Sequence, residues 1–395
     1  MREMRRGNQQ HTRRGVMAWM ARTADARAAY DLLITIVRGL RLTDTQRATA
    51  GGVSRDAWER VLDLEGCAAW VEGARRRTPA LADVLGPATP LVRAEGERAL
   101  RNAVAMVQQL AELAPIAAAV GARVLVLKGS ARLLAGEIAG SRTMADIDLL
   151  VPGPSGAALH AALQSQLGYQ PDAPGTPDRH LPSLVRAESL PIEIHGRLTD
   201  AGSPLDANVW DGARAIPLGG ATLEIPSATV LVLHTLEHGV VVHRTIRYRL
   251  RDILDTATAW SDAVDLTRVQ QYVDAHADRR ALMTVLAAAR SIGPPVWPTD
   301  LAGELAAWRR IARVGRARLL APPQAGVPAG SDPRVLALSQ IAEGVPGPIF
   351  RLIARGVTAP RRAVGLLTGR WLSVEAARAR AAADATPRSR DGDDQ

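Results

Sequence analysis

Residues 124–130 read VLVLKGS and residues 146–151 read DIDLLV. Each stretch is a short apolar run with β-branched members that leads through a glycine-containing turn into a helical pattern, SARLLAGEIAG after the first and SGAALHAALQSQLG after the second. Short apolar runs bounded by turns are typical of buried strands, and a strand followed by a helix is an α/β unit. These two stretches therefore predict the sheet around which the rest of the chain is arranged.

Further strands are predicted after this unit. Residues 181–186 and 191–195 are expected to form a hairpin, and residues 222–225 a fifth strand, because short apolar segments alternate there with turn residues. These segments extend the predicted sheet.

Helical periodicity surrounds the predicted sheet. Apolar positions recur at helical spacing before it, separated by loops rich in Gly, Pro and Thr, and again after it from Ser227, a predicted N-cap. The two termini are polar and are expected to be disordered. In order, the predicted regions are a basic arm (1–23), a helical region (24–119), an α/β core (120–226), a second helical region (227–372) and a polar tail (373–395). The predicted fold class is α+β, with an all-helical region on each side of the sheet.

The composition limits the classes of protein to which this chain can belong. Its 395 residues are enough for two or three domains with apolar cores. The single cysteine, Cys67, excludes an internal disulfide and suits a reducing compartment. No run of about 18 uncharged apolar residues occurs, and no apolar signal-peptide core follows the basic first residues. We therefore expect a cytoplasmic protein without a membrane span.

The net charge of +9 raises the question of nucleic-acid binding. Clustered arginines can neutralise phosphates, but here the basic residues are interspersed with Asp and Glu in helical stretches. Aromatic residues that would stack on bases are scarce, with one Phe and four Tyr in the chain. Nucleic acid is therefore a possible partner that the sequence does not favour, and solvated helix faces are the simpler interpretation.

The turn after the first strand is a candidate phosphate site. Lys128 is the only lysine among the 49 Lys and Arg residues, and it stands directly before Gly129 and Ser130. A compact ammonium suits a tight phosphate pocket better than a planar guanidinium does. A glycine turn at the start of a helix offers backbone N–H groups to an anion, and Arg142 could add a guanidinium from the loop before the second strand. The alternatives are an ordinary turn glycine beside a strand-end lysine, and a surface arginine.

Asp146 and Asp148 form the clearest chemical pattern. Side chains two residues apart on a strand share a face, so the two carboxylates project together while Ile147 points the opposite way. Two carboxylates about 4 Å apart repel by about 4 kcal/mol at an effective dielectric constant near 20, unless a cation lies between them. Mg²⁺ is bound in this manner, through one or two carboxylates and substrate phosphates. The alternative is a pair of separately solvated carboxylates.

A third acid follows in the second half of the predicted hairpin. Glu193 alternates with Ile192 and Ile194, which places its carboxylate on one face of a strand. It could complete a metal site with the two aspartates and accept the proton of an attacking hydroxyl. His195 is interpreted as lying on the other face. Glu193 is favoured over His195 for catalysis, because its partners Asp146 and Asp148 are metal-binding acids.

Three segments together resemble a known family. LKGS at 127–130, RTMADIDLLV at 142–151 and IEIHGRL at 192–198 are similar to the family labelled uncharacterised nucleotidyltransferase, a branch of the DNA polymerase beta-like nucleotidyltransferase superfamily. The resemblance covers residues 124–198 and, more loosely, the histidine-containing helix after Ser227. The combination of segments is specific, although each segment by itself is not.

The resemblance implies both a fold and an activity. It implies a mixed-sheet nucleotidyltransferase core and in-line transfer of a nucleoside monophosphate, AMP from ATP being the expected case, to a hydroxyl group with pyrophosphate leaving. Two magnesium ions would be held by Asp146, Asp148 and Glu193, and the triphosphate would be held at Gly129 and Ser130. The acceptor would be a small molecule, a peptide or a protein. The contrasting hypothesis is a non-catalytic regulator or antitoxin that uses the same fold to bind a nucleotide or a protein.

A second motif competes with this interpretation. Residues 234–238 read HTLEH, which matches the H-x-x-E-H signature of zinc metallopeptidases, with two histidine ligands and a glutamate base. The candidate ligands are His234 and His238. A zinc site also needs a third ligand, for which Asp252, Asp255 and His243 are the downstream candidates, but none of them stands in a distinctive context. The alternative is a helix that packs in the core or faces the nucleotide.

Overall fold

The computed structural model describes residues 23–319 except 138, 173–179, 199–203, 243–247 and 294–296. The predicted basic arm up to residue 22, the predicted tail from residue 373 and the part of the second helical region from residue 320 onward lie outside these residues. The described part of the chain has an α+β fold with one mixed sheet and flanking helices, as the sequence predicts.

Helices precede and follow the strands along the chain. The helices are α1 (23–37), α2 (Asp44–Ala50), α3 (Arg55–Glu65), α4 (Ala68–Arg77), α5 (Leu81–Leu85), α6 (Thr89–Ala119), α7 (Lys128–Leu134), α8 (Ser155–Leu167), α9 (Pro204–Ala207), α10 (Ala228–Leu236), α11 (Leu250–Ala259), α12 (Leu266–Ala275), α13 (Arg279–Arg290) and α14 (Leu301–Arg318). The strands are β1 (Leu125–Val126), β2 (Ile147–Leu150), β3 (Gln170–Pro171), β4 (Leu184–Val185), β5 (Ile192–His195), β6 (Arg214–Leu218) and β7 (Ala221–Ile225). Among the described residues, none of these helices combines the length and the apolarity that a membrane span requires.

The seven strands form one sheet in the order β3-β4-β5-β2-β1-β7-β6. β1 pairs antiparallel with β2 and parallel with β7, and β2 pairs parallel with β5. β4 and β5 pair antiparallel, which confirms the predicted hairpin. The central strands β5, β2 and β1 carry the segments from which the sheet is predicted.

Two strands of the sheet, β3 and β6, are not predicted by the sequence. Both lie at the edges. β3 is two residues long and exposed, and β6 has the sequence RAIPL without a buried residue. Pro217 lacks an N–H, which an edge strand tolerates and a central strand does not. Because neither strand has a buried face, neither shows the apolar pattern that marks a strand in sequence.

The two faces of the sheet belong to two apolar cores. On one face, Ile147 and Ile194 pack in a core with residues of α6 and α8. On the other face, Leu125 and Leu150 join a larger core. This core is built from helices that precede the strands in the chain and helices that follow them. Because strand side chains alternate, Asp148 shares the second face with Leu150 and points away from α6 and α8.

The helices before and after the sheet pack against each other in the larger core. Tyr30 of α1 donates a hydrogen bond to the carbonyl oxygen of Ile311 in α14 at 3.4 Å. Glu65, the last residue of α3, and Arg318, the last residue of α14, form a fully buried ion pair at 3.3 Å. The first and last helices of the described chain therefore share one core beside the sheet.

The helix after the sheet begins where the sequence predicts. The hydroxyl of Ser227 accepts a hydrogen bond from the N–H of Val230 at 3.4 Å, which is the contact expected of an N-cap. α10 then continues into a π-helical segment, Glu237–Val242. The H-x-x-E-H segment thus crosses from the α-helix into the π-helical turn.

Candidate active site

Strand pairing brings the candidate residues together at one end of the central strands β5, β2 and β1. Because β1 and β2 are antiparallel, the end of β1 lies beside the start of β2, and the N–H of Leu127 donates to the carbonyl oxygen of Asp148 at 2.9 Å. β2 and β5 are parallel, with Asp148 directly opposite Glu193. Side chains of directly opposite residues lie on the same face of a sheet. The turn at Lys128 and the two carboxylates therefore meet, although they are far apart in sequence.

Asp148 is the centre of the site. Its Oδ1 accepts a hydrogen bond from Lys128 Nζ at 2.7 Å and lies 2.9 Å from His195 Nε2. The same His195 nitrogen is 3.5 Å from Oε2 of Glu193. The side chains of Asp148 and His195 are almost fully buried, whereas 29% of the Glu193 side chain is exposed. Glu193 is therefore the carboxylate through which this group opens to solvent.

The position of His195 corrects the expectation from the sequence. The interpretation that His195 lies on the other face from Glu193 is wrong, because residues two apart on a strand share a face. The Nε2 atom of His195 contacts both carboxylates, and its ring centroid lies 5.6 Å from that of His180. Its Nδ1 atom is buried without a hydrogen-bond partner among the described residues. His195 is thus a member of the carboxylate group.

The electrostatics of the group keep its two central carboxylates ionised. Burial acts to raise the pKa of Asp148, but the hydrogen bond with His195 and the charge of Lys128 outweigh it and hold this pKa well below its usual range. The hydrogen bond with His195 also lowers the pKa of Glu193. Burial acts to lower the pKa of His195, but its bonds to the two carboxylates raise that pKa overall. The two carboxylates and the groups that donate hydrogen bonds to them thus stabilise each other's charged forms.

Three side chains of this group form a candidate set of metal ligands. One ligand atom from each of Asp148, Glu193 and His195 lies within 4.8 Å of the other two. Carboxylate oxygens and an imidazole nitrogen are ligands that divalent metal ions accept. Asp146 is not one of these three; it stands half-buried directly before β2, and burial together with the charge of Asp148 raises its pKa. The residues present therefore fit a divalent cation, with Asp146 as a neighbouring carboxylate.

The turn at Lys128 has an uncommon backbone conformation. Lys128 has a φ of 48°, in the left-handed region that residues other than glycine rarely adopt. α7 starts at this residue, so the first N–H groups of the helix have no partner within it. The Ser130 side chain is buried. The turn therefore presents the ammonium of Lys128 at the site, while Gly129 and Ser130 behind it are buried.

Gly129 makes room for the side chain of Arg142. A Cβ atom at position 129 would overlap Nη1 of Arg142, so glycine is the residue that lets the guanidinium lie against the turn. Nε of Arg142 lies 3.1 Å from both carboxylate oxygens of Asp255, a residue of α11. The loop before β2 is therefore tied to the helices that follow the sheet.

The sequence offers Asp255 only as a candidate third zinc ligand and does not single it out for the nucleotide site, because no motif surrounds it. The signal that could have found it is an acidic residue on the buried face of an amphipathic helix, since α11 buries Asp255 together with Ile253 and Leu254. A buried carboxylate requires cationic or hydrogen-bonding partners, and its two closest ones, Arg132 and Arg142, are more than 100 residues away in sequence.

The H-x-x-E-H segment is not organised as a zinc site within the described residues. His234 and Glu237 are buried, and Glu237 accepts a hydrogen bond from the hydroxyl of Tyr272. The rings of His234 and His238 lie edge to face with centroids 6.2 Å apart. Neither histidine belongs to the group of metal-ligand atoms in the described part of the chain. A glutamate bonded to a buried tyrosine is poorly placed to activate water, so the geometry gives no support to the peptidase hypothesis.

A family model described as "Uncharacterised nucleotidyltransferase" matches residues 83–293. The match spans more than half of the 395 residues and includes the site from Lys128 to His195, the H-x-x-E-H segment and Asp255. It extends well beyond the three segments on which the resemblance was based. Comparisons with curated proteins and with solved structures gave no match.

Proposed function

The chain belongs to the uncharacterised nucleotidyltransferase family, and on this basis we propose that it transfers a nucleoside monophosphate to a hydroxyl group. The donor is a nucleoside triphosphate, with ATP as the first to test, and pyrophosphate is released. The observation that carries the proposal is that strand pairing brings three side chains together. The register of β2 on β5 sets Asp148 opposite Glu193, and the pairing of β1 with β2 brings Lys128 to Asp148. Two ionised carboxylates on neighbouring strands, one of them paired with an ammonium, suit a site for a divalent cation and phosphates.

In this proposal Asp148 and Glu193 hold Mg²⁺, with Asp146 as the neighbouring carboxylate and His195 beside them. Their oxygen atoms are the donors that a hard divalent cation prefers, and the family resemblance implies two such ions. When bound, the cation stabilises the negative charge that the phosphates carry during the reaction.

The proposed step exchanges one phosphorus–oxygen bond for another. The acceptor oxygen forms a bond to the α-phosphorus, and the bond from that phosphorus to the oxygen bridging to the β-phosphate breaks. Pyrophosphate leaves with the electron pair. The hydroxyl proton passes to the carboxylate of Glu193, which is ionised and is the more exposed of the two opposed acids.

The triphosphate is proposed to lie against the turn after β1. Lys128 supplies an ammonium beside Asp148, and Arg142 supplies a guanidinium over Gly129. Gly129 and Ser130 contribute backbone N–H groups at the start of α7, because the Ser130 hydroxyl is enclosed. These groups would place positive charge and hydrogen-bond donors at the turn, next to the carboxylate of Asp148.

A cavity supports the proposal of a small-molecule acceptor over a peptide or a protein. It has a volume of about 490 Å³ and lies between α7, β7, α10 and α11, lined in part by Arg132, Ser227 and Trp260. Because β7 runs parallel to β1, the end of β7 at Ile225, which lines the cavity, lies on the same side of the sheet as the end of β1, which leads to Lys128. This volume is in the range that takes a metabolite-sized ligand.

The proposal is tested by incubating the protein with α-labelled ATP, Mg²⁺ and candidate acceptors. We compare the wild type with Asp148→Asn, which keeps the shape of the side chain and removes its charge. The matched control is Glu224→Gln, which removes a carboxylate of the same sheet that pairs with Arg123 at 2.6 Å, outside the candidate site. We expect label transfer by the wild type and the control, and a loss of at least about 100-fold in Asp148→Asn, because metal-ion stabilisation amounts to several kcal/mol.

Two outcomes would contradict the proposal in different ways. Transfer that Asp148→Asn leaves unchanged would place the chemistry elsewhere. Binding of ATP by the wild type without transfer to any acceptor would indicate the non-catalytic, nucleotide-binding regulator.

A further inference from the structure

Asp255 on α11 is surrounded by three arginines. Its carboxylate lies 2.7 Å from Nη1 of Arg132, 3.1 Å from Nε of Arg142 and 3.8 Å from Nε of Arg251. Only 11% of the Asp255 side chain is exposed. A buried carboxylate with this many cationic partners holds their side chains in defined positions, because moving one of them away would separate buried charges.

Two of these arginines come from the part of the chain that contains the strands. Arg132 lies on α7, the helix that follows the Lys128 turn, and Arg142 lies in the loop before β2. Asp255 comes from the helices after the sheet, 113 residues from Arg142 in sequence. One carboxylate therefore joins the two parts of the chain between which the proposed substrate binds.

Asp255 accepts a hydrogen bond from only one of the three nitrogen atoms of the Arg142 guanidinium, Nε. Nε bonds to Asp255, while Nη1 lies against Gly129, and neither Nη atom has a hydrogen-bond acceptor among the described residues. A guanidinium can donate in parallel to two oxygens of a phosphate. The Nη atoms are therefore available for an anion at the turn.

We propose that Asp255 is a positioning residue that holds Arg142 over Gly129, so that Arg142 binds the terminal phosphates which leave as pyrophosphate. This inference rests on the proposed nucleotidyl transfer. Among the described residues, the polar contacts of Arg142 are with Asp255 and not with Asp148, Glu193 or His195, so its guanidinium is separate from the candidate cation group. The helices after the sheet thereby set the affinity of the site for the triphosphate through one carboxylate.

The test uses the full chain and two probes, inorganic pyrophosphate and AMP, each titrated calorimetrically in the presence of Mg²⁺. Asp255→Asn should weaken pyrophosphate binding by about tenfold or more, the usual effect of losing a hydrogen bond to a charged group, and change AMP binding by less than about twofold. The matched control is Glu137→Gln, because Glu137 also pairs with Arg132 at 2.7 Å but makes no hydrogen bond to Arg142. It should leave both affinities unchanged.

A double-mutant cycle separates positioning from a general structural role. If Asp255 acts through Arg142, Asp255→Asn should weaken pyrophosphate binding when Arg142 is present. In the Arg142→Lys variant, the same substitution should cause little further loss of pyrophosphate affinity. Should circular dichroism show that Asp255→Asn does not fold, Gly129→Ala replaces it in the cycle, because its Cβ displaces Arg142 while the carboxylate stays in place.

The failure of this inference differs from the failure of the proposed function. Equal losses of pyrophosphate and AMP affinity, or additive effects in the cycle, would overturn the role of Asp255 while transfer by the wild type stands. A wild-type protein that binds neither probe and transfers no label would overturn both.

Discussion

The ion pair between Lys128 and Asp148 permits a quantitative prediction for Lys128→Met. At 2.7 Å and an effective dielectric constant near 20, the attraction between the two charges is about 6 kcal/mol. The conformational entropy lost when the lysine side chain is ordered offsets about 2 kcal/mol of this attraction. The loss in the variant is reduced further because 19% of the lysine side chain is exposed to solvent and because His195 also contacts Asp148. We therefore expect Lys128→Met to lower the free energy of unfolding by about 3 kcal/mol, the lower end of the range for a broken buried pair.

The assay is thermal unfolding, first in EDTA and then in saturating Mg²⁺. A loss of about 3 kcal/mol corresponds to about 6 °C in Tm for a domain of this size. In Mg²⁺ the difference from the wild type should shrink to less than about 2 °C, because a bound cation takes the place of the ammonium beside Asp148.

The control for this experiment is Arg123→Met, which removes a pair of similar length on the same sheet. Arg123 lies 2.6 Å from Glu224 but is 57% exposed, so its removal should cost at most about 1 kcal/mol and should not respond to Mg²⁺. Equal losses in the two variants would refute the reasoning about burial. A loss in Lys128→Met that Mg²⁺ leaves unchanged would refute the cation site.

Two further predictions concern the hairpin between β6 and β7 and the response to acid. Gly219 and Gly220 both have positive φ, but only a Cβ at Gly219 would overlap the carbonyl oxygen of Ala111. Gly220→Ala should therefore cost about 1 kcal/mol and Gly219→Ala clearly more, measured by denaturant unfolding; equal costs would contradict this. Burial acts to raise the pKa of Asp255, but Arg142 and its other arginine partners hold it well below its usual range, so its stabilisation is complete above the unfolded pKa near 3.9 and is lost as pH falls through the folded pKa. Asp255→Asn should lower stability at pH 7 and make stability less dependent on pH below about pH 4, and an unchanged acid slope would argue against the ion pairs.

Local patterns in the sequence account for most of the fold. The strands that carry the site are buried, so their apolar runs are visible in sequence, and Ser227 marks the start of α10 because capping depends on neighbouring residues. β3 and β6 leave no such trace, because they are exposed edge strands. Alternation along β5 also requires His195 to share a face with Glu193. The position of His195 could therefore be predicted from the sequence, and the contrary interpretation misapplied the rule.

The sequence by itself determined the candidates for chemistry. It singled out Lys128, Asp148 and Glu193, because their residue types and local spacing suit phosphates and a metal ion. Only the tertiary structure decided which of them touch, since the contact of Lys128 with Asp148 depends on β1 pairing with β2, and the position of Glu193 depends on the register of β5. The attachment of Arg142 to Asp255 likewise depends on how α11 packs, and such contacts between distant parts of a chain leave no periodicity or motif in it.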